Sequence, residues 1–483
     1  MASYFKYKTL DDIRRDVQRL GLGIEFSEDL TPLARPVEIG PLRAGNSIAI
    51  QPMEGCDGTL DGRPDELTFR RYRRFGDGGA KIIWGEATAV VDEGRANSRQ
   101  LLINDGTASS LERMCSECRA AHREQFGAGA DGDLVVGLQL THSGRYSLQR
   151  PLIAFHDPLL DSRTFVDKSR GVTVTDDYPI LDDDYLERLQ DRFVDAARLA
   201  FRIGFDFVDV KQCHRYLLSE LLAAKTRPGK FGGSFENRTR FVRDVIGKIR
   251  DAVPGAVICS RVNVYDGVPY RRSAATGAGE PSEFQPPVRS SFGADEQDPL
   301  REDLSEPKRL LALLRDLGVP MVNITMGNPY AVMHVTRPFE YPPTDGFETP
   351  EHPLAGVWRH FRLTAELQRA VPELVLIGSG YSWLQQFVYQ AAAANLRDGA
   401  CRVAGLGRAT LAYPDSMRDA LAGRPLDRRR ICRTFSYCTN LMRSKQNELG
   451  QFPTGCPPFD KDVYGPIWSE AQQTAQGGSR TTK

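Results

Sequence analysis

Short runs of consecutive apolar residues recur along the chain. Each ends in a polar or Gly-rich turn and is followed by a stretch of helical periodicity. In order they lie at 47–53, 81–84, 133–140, 206–210, 256–262, 321–325, 374–377 and 402–404. Helical patterns fall between them, among them 185–203, 237–253, 307–317 and 383–394. Continuous rather than alternating apolar strands belong to a parallel sheet buried on both faces. Eight such β–α units predict an α/β fold, a TIM (β/α)8 barrel with loop insertions and a C-terminal extension. A doubly wound sheet is the alternative, weakened by the lack of a GxGxxG fingerprint directly after an early strand.

The pattern divides the chain into an N-terminal extension at 1–36, a barrel at 37–426 and a Cys-containing extension at 427–483, whose end, 472–483, reads as a disordered tail. Two segments look inserted. Residues 145–177 follow the third strand without strong periodicity, and the Gly-, Pro- and Ser-rich residues 268–303 follow the fifth. Long loops in a compact domain serve as lids or binding loops or are disordered, and both of these fall on the side where barrel active sites are built.

Composition narrows the class. The 483 residues are 41% hydrophobic, ample for a sizeable core. Lys+Arg and Asp+Glu balance at 63 each, which gives no electrostatic case for nucleic acid or an anionic membrane. No apolar run reaches the roughly 18 residues a membrane helix needs. The N-terminus lacks a signal-peptide core, so a cytoplasmic enzyme is expected, its partner a small-molecule substrate, with a homo-oligomer left open.

Chemistry in such barrels sits where a strand meets its following loop. Strand one ends in Gln51-Pro52-Met53-Glu54, strand two in Trp84-Gly85-Glu86-Ala87-Thr88, and strand three in Gln139-Leu140-Thr141-His142-Ser143-Gly144-Arg145. Strand four ends in Lys211-Gln212-Cys213-His214-Arg215-Tyr216, and strand five carries Arg261, costly in an apolar strand unless paired. Lys211 and His214 can donate two hydrogen bonds to one oxygen, and a lysine favours a ligand carrying negative charge. Strand seven ends in Gly378-Ser379-Gly380 and strand eight in Gly405-Leu406-Gly407-Arg408. Loops seven and eight commonly build a phosphate site, where glycines admit backbone N–H groups and an arginine adds a charged donor.

Together these motifs resemble the old yellow enzyme family of FMN-dependent oxidoreductases, and look nearest to its 2,4-dienoyl-CoA reductase and trimethylamine dehydrogenase subgroup. The resemblance implies noncovalent FMN, with NAD(P)H as reductant. It implies flavin contacts from Pro52, Met53, Glu54, Ala87, Gln139 and Arg261, and phosphate contacts from Gly378, Ser379, Gly380, Gly407 and Arg408. It implies that Lys211 and His214 hold a substrate oxygen while Tyr216 donates a proton, in an ene-reductase acting on a carbonyl-conjugated alkene. Tyr330, in a loop after strand six, is a candidate wall of the substrate pocket. Two positions depart from the family: Glu54 stands where Thr or Cys is usual, and Lys211 where His is usual. A carboxylate at 54 would lower the flavin potential if ionised; a local salt bridge is the alternative. Lys211 could likewise pair with a barrel carboxylate. His142 and Arg145 read as loop supports.

The subgroup carries a four-cysteine iron–sulfur cluster just after the barrel, followed by a further nucleotide-binding domain. Here the matching stretch reads Cys432-Arg-Thr-Phe435-Ser-Tyr-Cys438 with a distant Cys456, so one ligand position is Phe435. No metal is expected, since a cluster of this type needs four ligands, and the chain ends before a further domain fits. Cys115 and Cys118 read as ordinary thiols. Three rivals remain: a flavin desaturase or oxidase running in reverse, a colourless Schiff-base aldolase with Lys211 as nucleophile, and a flavin-binding module without catalysis.

Overall fold

The computed structural model describes residues 4–478. Eight parallel strands close into one barrel: β1 (Ile48–Ile50), β2 (Ile82–Ala89), β3 (Val135–Thr141), β4 (Phe207–Val210), β5 (Ile258–Asn263), β6 (Met321–Thr325), β7 (Val375–Gly378) and β8 (Val403–Leu406). Each strand pairs with its neighbours in sequence, and β8 closes on β1 through Leu406 opposite Ile50. Helices cross between them: α1 (Glu66–Asp77), α2 (Ala108–Phe126), α3 (Asp183–Arg202), α4 (Arg240–Ala252), α5 (Ser305–Asp316), α6 (Pro353–Ala370) and α7 (Val388–Arg397).

Two apolar layers explain why the strands read as continuous runs. Ala49, Ile82, Trp84, Val135, Phe207, Cys259, Met321, Ile377 and Val403 fill the barrel interior. Their neighbours Ile48, Ile50, Ile83, Val136, Val208 and Ile258 pack against the helices. A hairpin, Val37–Ile39 with Leu42–Ala44, adds Ile39 and Ala44 to the interior layer. The Trp84 and Phe207 rings meet edge to face at 4.9 Å, and a Cβ on Gly137 would lie 2.2 Å from the Phe207 ring. Only glycine fits there.

All eight strands coincide with the apolar runs. β2 runs to Ala89 instead of stopping at Trp84, with a shift of register between Trp84 and Ala87. The extra residues include Glu86, a buried carboxylate paired with Arg71 at 2.8 Å, so hydrophobicity ends before the strand does. Both insertions are partly structured. The first holds a small hairpin, Phe165–Asp167 with Val172–Thr173, and the second another, Tyr270–Arg272 with Gly279–Pro281. Arg163 joins them, donating to Tyr270 O at 2.9 Å and Ser282 Oγ at 2.6 Å.

Beyond the barrel, α8 (Tyr437–Arg443) and α9 (Lys461–Gly478) share a small core of Leu441, Phe452, Tyr464 and Ala471. Asp460 ties this extension to α1 through Arg70 at 2.7 Å and Arg74 at 2.6 Å. Helix α9 covers 472–478 of the expected tail; 479–483 lie outside the described residues. Among the described residues no helix is long and apolar enough to cross a membrane.

Candidate active site

A cavity of about 740 Å³ opens at the C-terminal ends of the barrel strands, within the range of small-molecule and cofactor sites. Its wall contains Pro52, Met53, Glu54, Ala87, Gln139, Lys211, His214, Tyr216, Arg261, Tyr330, Ser379, Gly380, Gly407 and Arg408. Of the residues expected to contact cofactor or substrate only Gly378 stands back from the wall, where its carbonyl accepts from Gln51 Nε2 at 3.5 Å.

Strand four supplies the central group. The Lys211 ammonium lies 3.8 Å from the Tyr216 ring centroid and makes no salt bridge among the described residues. Burial holds its pKa below the usual lysine value, partly offset by Cys213 and Glu54. His214 Nε2 is buried without a partner among the described residues, and burial together with the charges of Arg261 and Lys211 keeps the ring neutral. His214 and Arg215 both take left-handed backbone, φ 65° and 60°, which costs roughly 1–3 kcal/mol per non-glycine residue. The surroundings hold that turn. Arg215 pairs with Asp157 of the first insertion and with Asp266 at 2.8 Å, and His214 N donates to Asn263 Oδ1 at 3.2 Å.

Tyr216 meets Tyr330, their hydroxyls 3.2 Å apart. Tyr146 packs over Tyr330 with ring centroids 4.5 Å apart and accepts from Asn328 Nδ2 at 2.5 Å. Burial pushes the Tyr216 phenol well above its ordinary pKa, and the Tyr330 hydroxyl and Glu54 add to the effect. Glu54 forms no salt bridge among the described residues; its Oε1 accepts from Asn97 Nδ2 at 2.6 Å. Burial raises its pKa and the Lys211 charge opposes the rise.

Asp209, two residues before Lys211 on β4, ties the neighbouring strands together. One oxygen accepts from Gln139 Nε2 at 2.5 Å and Trp84 Nε1 at 2.7 Å, the other from the Arg261 backbone N–H at 2.8 Å. Arg261 donates from Nη1 to Pro52 O at 3.3 Å, while its buried Nε has no partner among the described residues. Gln51 links three strands, donating to Ser379 Oγ at 3.0 Å and accepting from Asn323 Nδ2 at 2.7 Å. Gly380 has φ 92°, and a Cβ there would lie 2.7 Å from His360, so the loop after β7 requires glycine.

His142 and Arg145 are buried supports. His142 Nε2 meets Tyr185 Oη at 2.9 Å, and Arg145 pairs with Glu220 and Asp161 at 2.5 Å each. Reading the sequence missed Asp209, Tyr146, Asn97 and Thr439. Asp209 alone left a signal, as a lone carboxylate within an apolar strand. The first insertion lines the cavity mouth through Leu148, Arg150, Phe165 and Lys168; no residue of 268–303 does. Cys115 and Cys118 are buried on α2. Cys432, Cys438 and Cys456 face a small space of about 30 Å³, and among the described residues no group of three metal-capable side chains forms.

Residues 32–278 match the family model described as the NADH:flavin oxidoreductase / NADH oxidase family. The chain belongs to this family, with FMN as cofactor and NAD(P)H as reductant, as the sequence predicted. It is similar to an NADPH dehydrogenase of Geobacillus sp., 29% identical over 257 residues, which are 50% of this chain and 69% of that one. Its fold is similar to a 2-naphthoyl-CoA reductase, with a TM-score of 0.65 at 16% identity, covering 91% of this chain and 58% of that one. It is also similar to the old yellow enzyme homologue from Zymomonas mobilis, with a TM-score of 0.57 at 19% identity, covering 82% and 94%. Across eight curated relatives the chain spans from 45% to 69% of their length.

Proposed function

We propose that the protein reduces the carbon–carbon double bond of an electron-poor, carbonyl-conjugated small molecule. The observation that carries this reading is the group on strand four: two nitrogen donors, Lys211 and His214, with no acceptor bonded to Lys211 Nζ or His214 Nε2 among the described residues, beside a phenol that burial keeps protonated.

The residues fit FMN. Buried polar atoms without partners among the described residues, Arg261 Nε, His214 Nε2 and Arg337 Nη1, belong to residues lining one cavity. Gln139 and Arg261 would hold the polar edge of the ring, with Pro52, Met53 and Ala87 beside it. Ser379, Gly380, Gly407 and Arg408 would hold the phosphate. When bound, FMN supplies hydride acceptance from NAD(P)H and hydride donation to the alkene. Lys211 and neutral His214 would donate to the substrate carbonyl oxygen, where negative charge grows as the β-carbon takes hydride. Tyr216 would give its proton to the α-carbon. Burial keeps the Tyr216 phenol protonated, the form a proton donor requires.

Stopped-flow spectra test the direction. Rapid bleaching of the flavin by NAD(P)H, followed by reoxidation by an enone, is expected. Bleaching by a saturated carbonyl substrate with no response to NAD(P)H would overturn the reading in favour of a desaturase or oxidase. A colourless protein trapped by borohydride on Lys211 would overturn it in favour of an aldolase. Iron and sulfide analysis should give far less than a full cluster. Phe435 occupies a ligand position and instead packs edge-on against Tyr341 at 6.2 Å.

A further inference from the structure

Arg337 and Arg408 line the same cavity from different barrel loops, and both rest on the C-terminal extension. Arg408, just after β8, donates from Nη1 to Thr439 Oγ1 at 2.8 Å. Arg337, in the loop after β6, donates from Nη2 to the same oxygen at 3.2 Å and to Ser436 Oγ at 2.9 Å. Its buried Nη1 has no partner among the described residues. Neither guanidinium has a carboxylate partner among the described residues. Burial lowers the pKa of both; for Arg337 the nearby Arg408 charge lowers it further, and Arg443 adds to the effect on each.

Two half-buried cations sharing one neutral hydroxyl are unfavourable unless an anion completes the group. Each guanidinium presents a planar fork suited to two oxygens of one anion. A threonine hydroxyl that accepts from both arginines keeps its own proton free to donate. The chemistry that satisfies all three is a phosphate monoester dianion, bound between the glycine-rich ends of β7 and β8 and α8.

We propose that Arg337, Thr439 and Ser436 complete the cofactor-phosphate site, so that the C-terminal extension forms a wall of that site and docks in response to the phosphate. This deepens the FMN reading and rests on it. The same helix carries Arg443, which pairs with Asp345 and donates to Pro329 O at 2.6 Å. Helix α8 therefore touches the phosphate guanidiniums at one end and the Tyr330 loop at the other.

The test compares FMN and riboflavin binding to deflavinated protein by flavin fluorescence, for wild type, Arg337→Ala, Arg337→Lys and Thr439→Val. Arg337→Ala should weaken FMN by about 10- to 100-fold, the range for a charged hydrogen bond, and leave riboflavin nearly unchanged. Arg337→Lys should recover part of the loss. In wild type, FMN but not riboflavin should slow amide hydrogen exchange over residues 437–443, a readout that does not depend on any variant folding. Equal loss of both flavins in Arg337→Ala, or exchange over 437–443 that responds to both flavins alike, would overturn the proposal. Unchanged FMN binding with a raised KM for an anionic substrate would assign the anion to the substrate instead, and also overturn it. Wild type that prefers FMN while Arg337→Ala keeps the same preference would sink only this proposal. Wild type that binds neither flavin would sink the FMN reading as well.

Discussion

The inner wall of the cavity and its mouth are built on different principles. Lys211, Gln139 and Arg261 lie on or directly beyond barrel strands, in a buried frame fixed by Asp209 and Gln51. The mouth is assembled from the first insertion, the loop after β6 and the C-terminal extension, which meet through Tyr146, Tyr330, Arg337 and Arg443. Sites on rigid elements hold reacting groups within the tolerance that chemistry needs; loops and appended segments adjust what enters. Substitutions at the inner wall should therefore change chemical steps, and those at the mouth should change occupancy.

Tyr216→Phe probes the inner wall most severely. It should slow the oxidative half-reaction with an enone by roughly 10²–10⁴-fold, the usual contribution of a general acid, and leave reduction by NAD(P)H nearly intact. Rapid-mixing measurement of the two half-reactions checks this. Slowed reduction with normal enone turnover would reassign Tyr216.

Arg408→Ala should weaken FMN by about 10- to 100-fold, because a charged donor to phosphate is lost, with little effect on riboflavin. His214→Ala should weaken a phenolate by about 1.5–3 kcal/mol, read from the long-wavelength absorbance of phenolates stacked on oxidised flavin. If that loss is absent, the unpartnered Nε2 does not address the ligand.

The contrast between wall and mouth also governs what could be read in advance. Each inner-wall residue sits within a few positions of an apolar run, so a short stretch of sequence carries both the strand and its chemistry. All eight strands and the Gly380 turn were legible for that reason. Arg337 and Thr439 lie 102 residues apart and meet only in three dimensions, so no local pattern marks their pairing. Glu86 hid the end of β2, because its partner Arg71 lies on α1 and makes burial of a carboxylate affordable. Glu54 could be read as a departure from the family, but its bond to Asn97 could not.

Lys211 predicts a pH dependence. Its buried ammonium has a lowered pKa, so the cationic form that attracts an anion is full below that value and lost as pH rises through it. Affinity for a carboxylate or phenolate ligand, once corrected for ionisation of the ligand itself, should fall as pH rises, beginning below the usual lysine range. A bound anion favours the proton and moves the fall to higher pH. Lys211→Met should flatten the profile and lower affinity for anions at all pH values. A profile identical to wild type would show that only His214 addresses the ligand.

The smallest effect is expected at Tyr330, where wall and mouth touch. Its hydroxyl lies 3.2 Å from the Tyr216 hydroxyl, and that interaction contributes to the raised phenol pKa of Tyr216. Removing it with Tyr330→Phe keeps the ring against Tyr146 and deletes one neutral hydrogen bond, worth about 0.5–1.5 kcal/mol. Enone turnover should therefore change by only about two- to tenfold, with flavin reduction and FMN affinity unchanged. In the Tyr216→Phe background the same substitution should add little to enone turnover, since the hydroxyl it supports is already gone. A loss in the double variant equal to the product of the two single losses would place Tyr330 in direct contact with substrate. It would then belong to the chemistry of the inner wall rather than to the mouth.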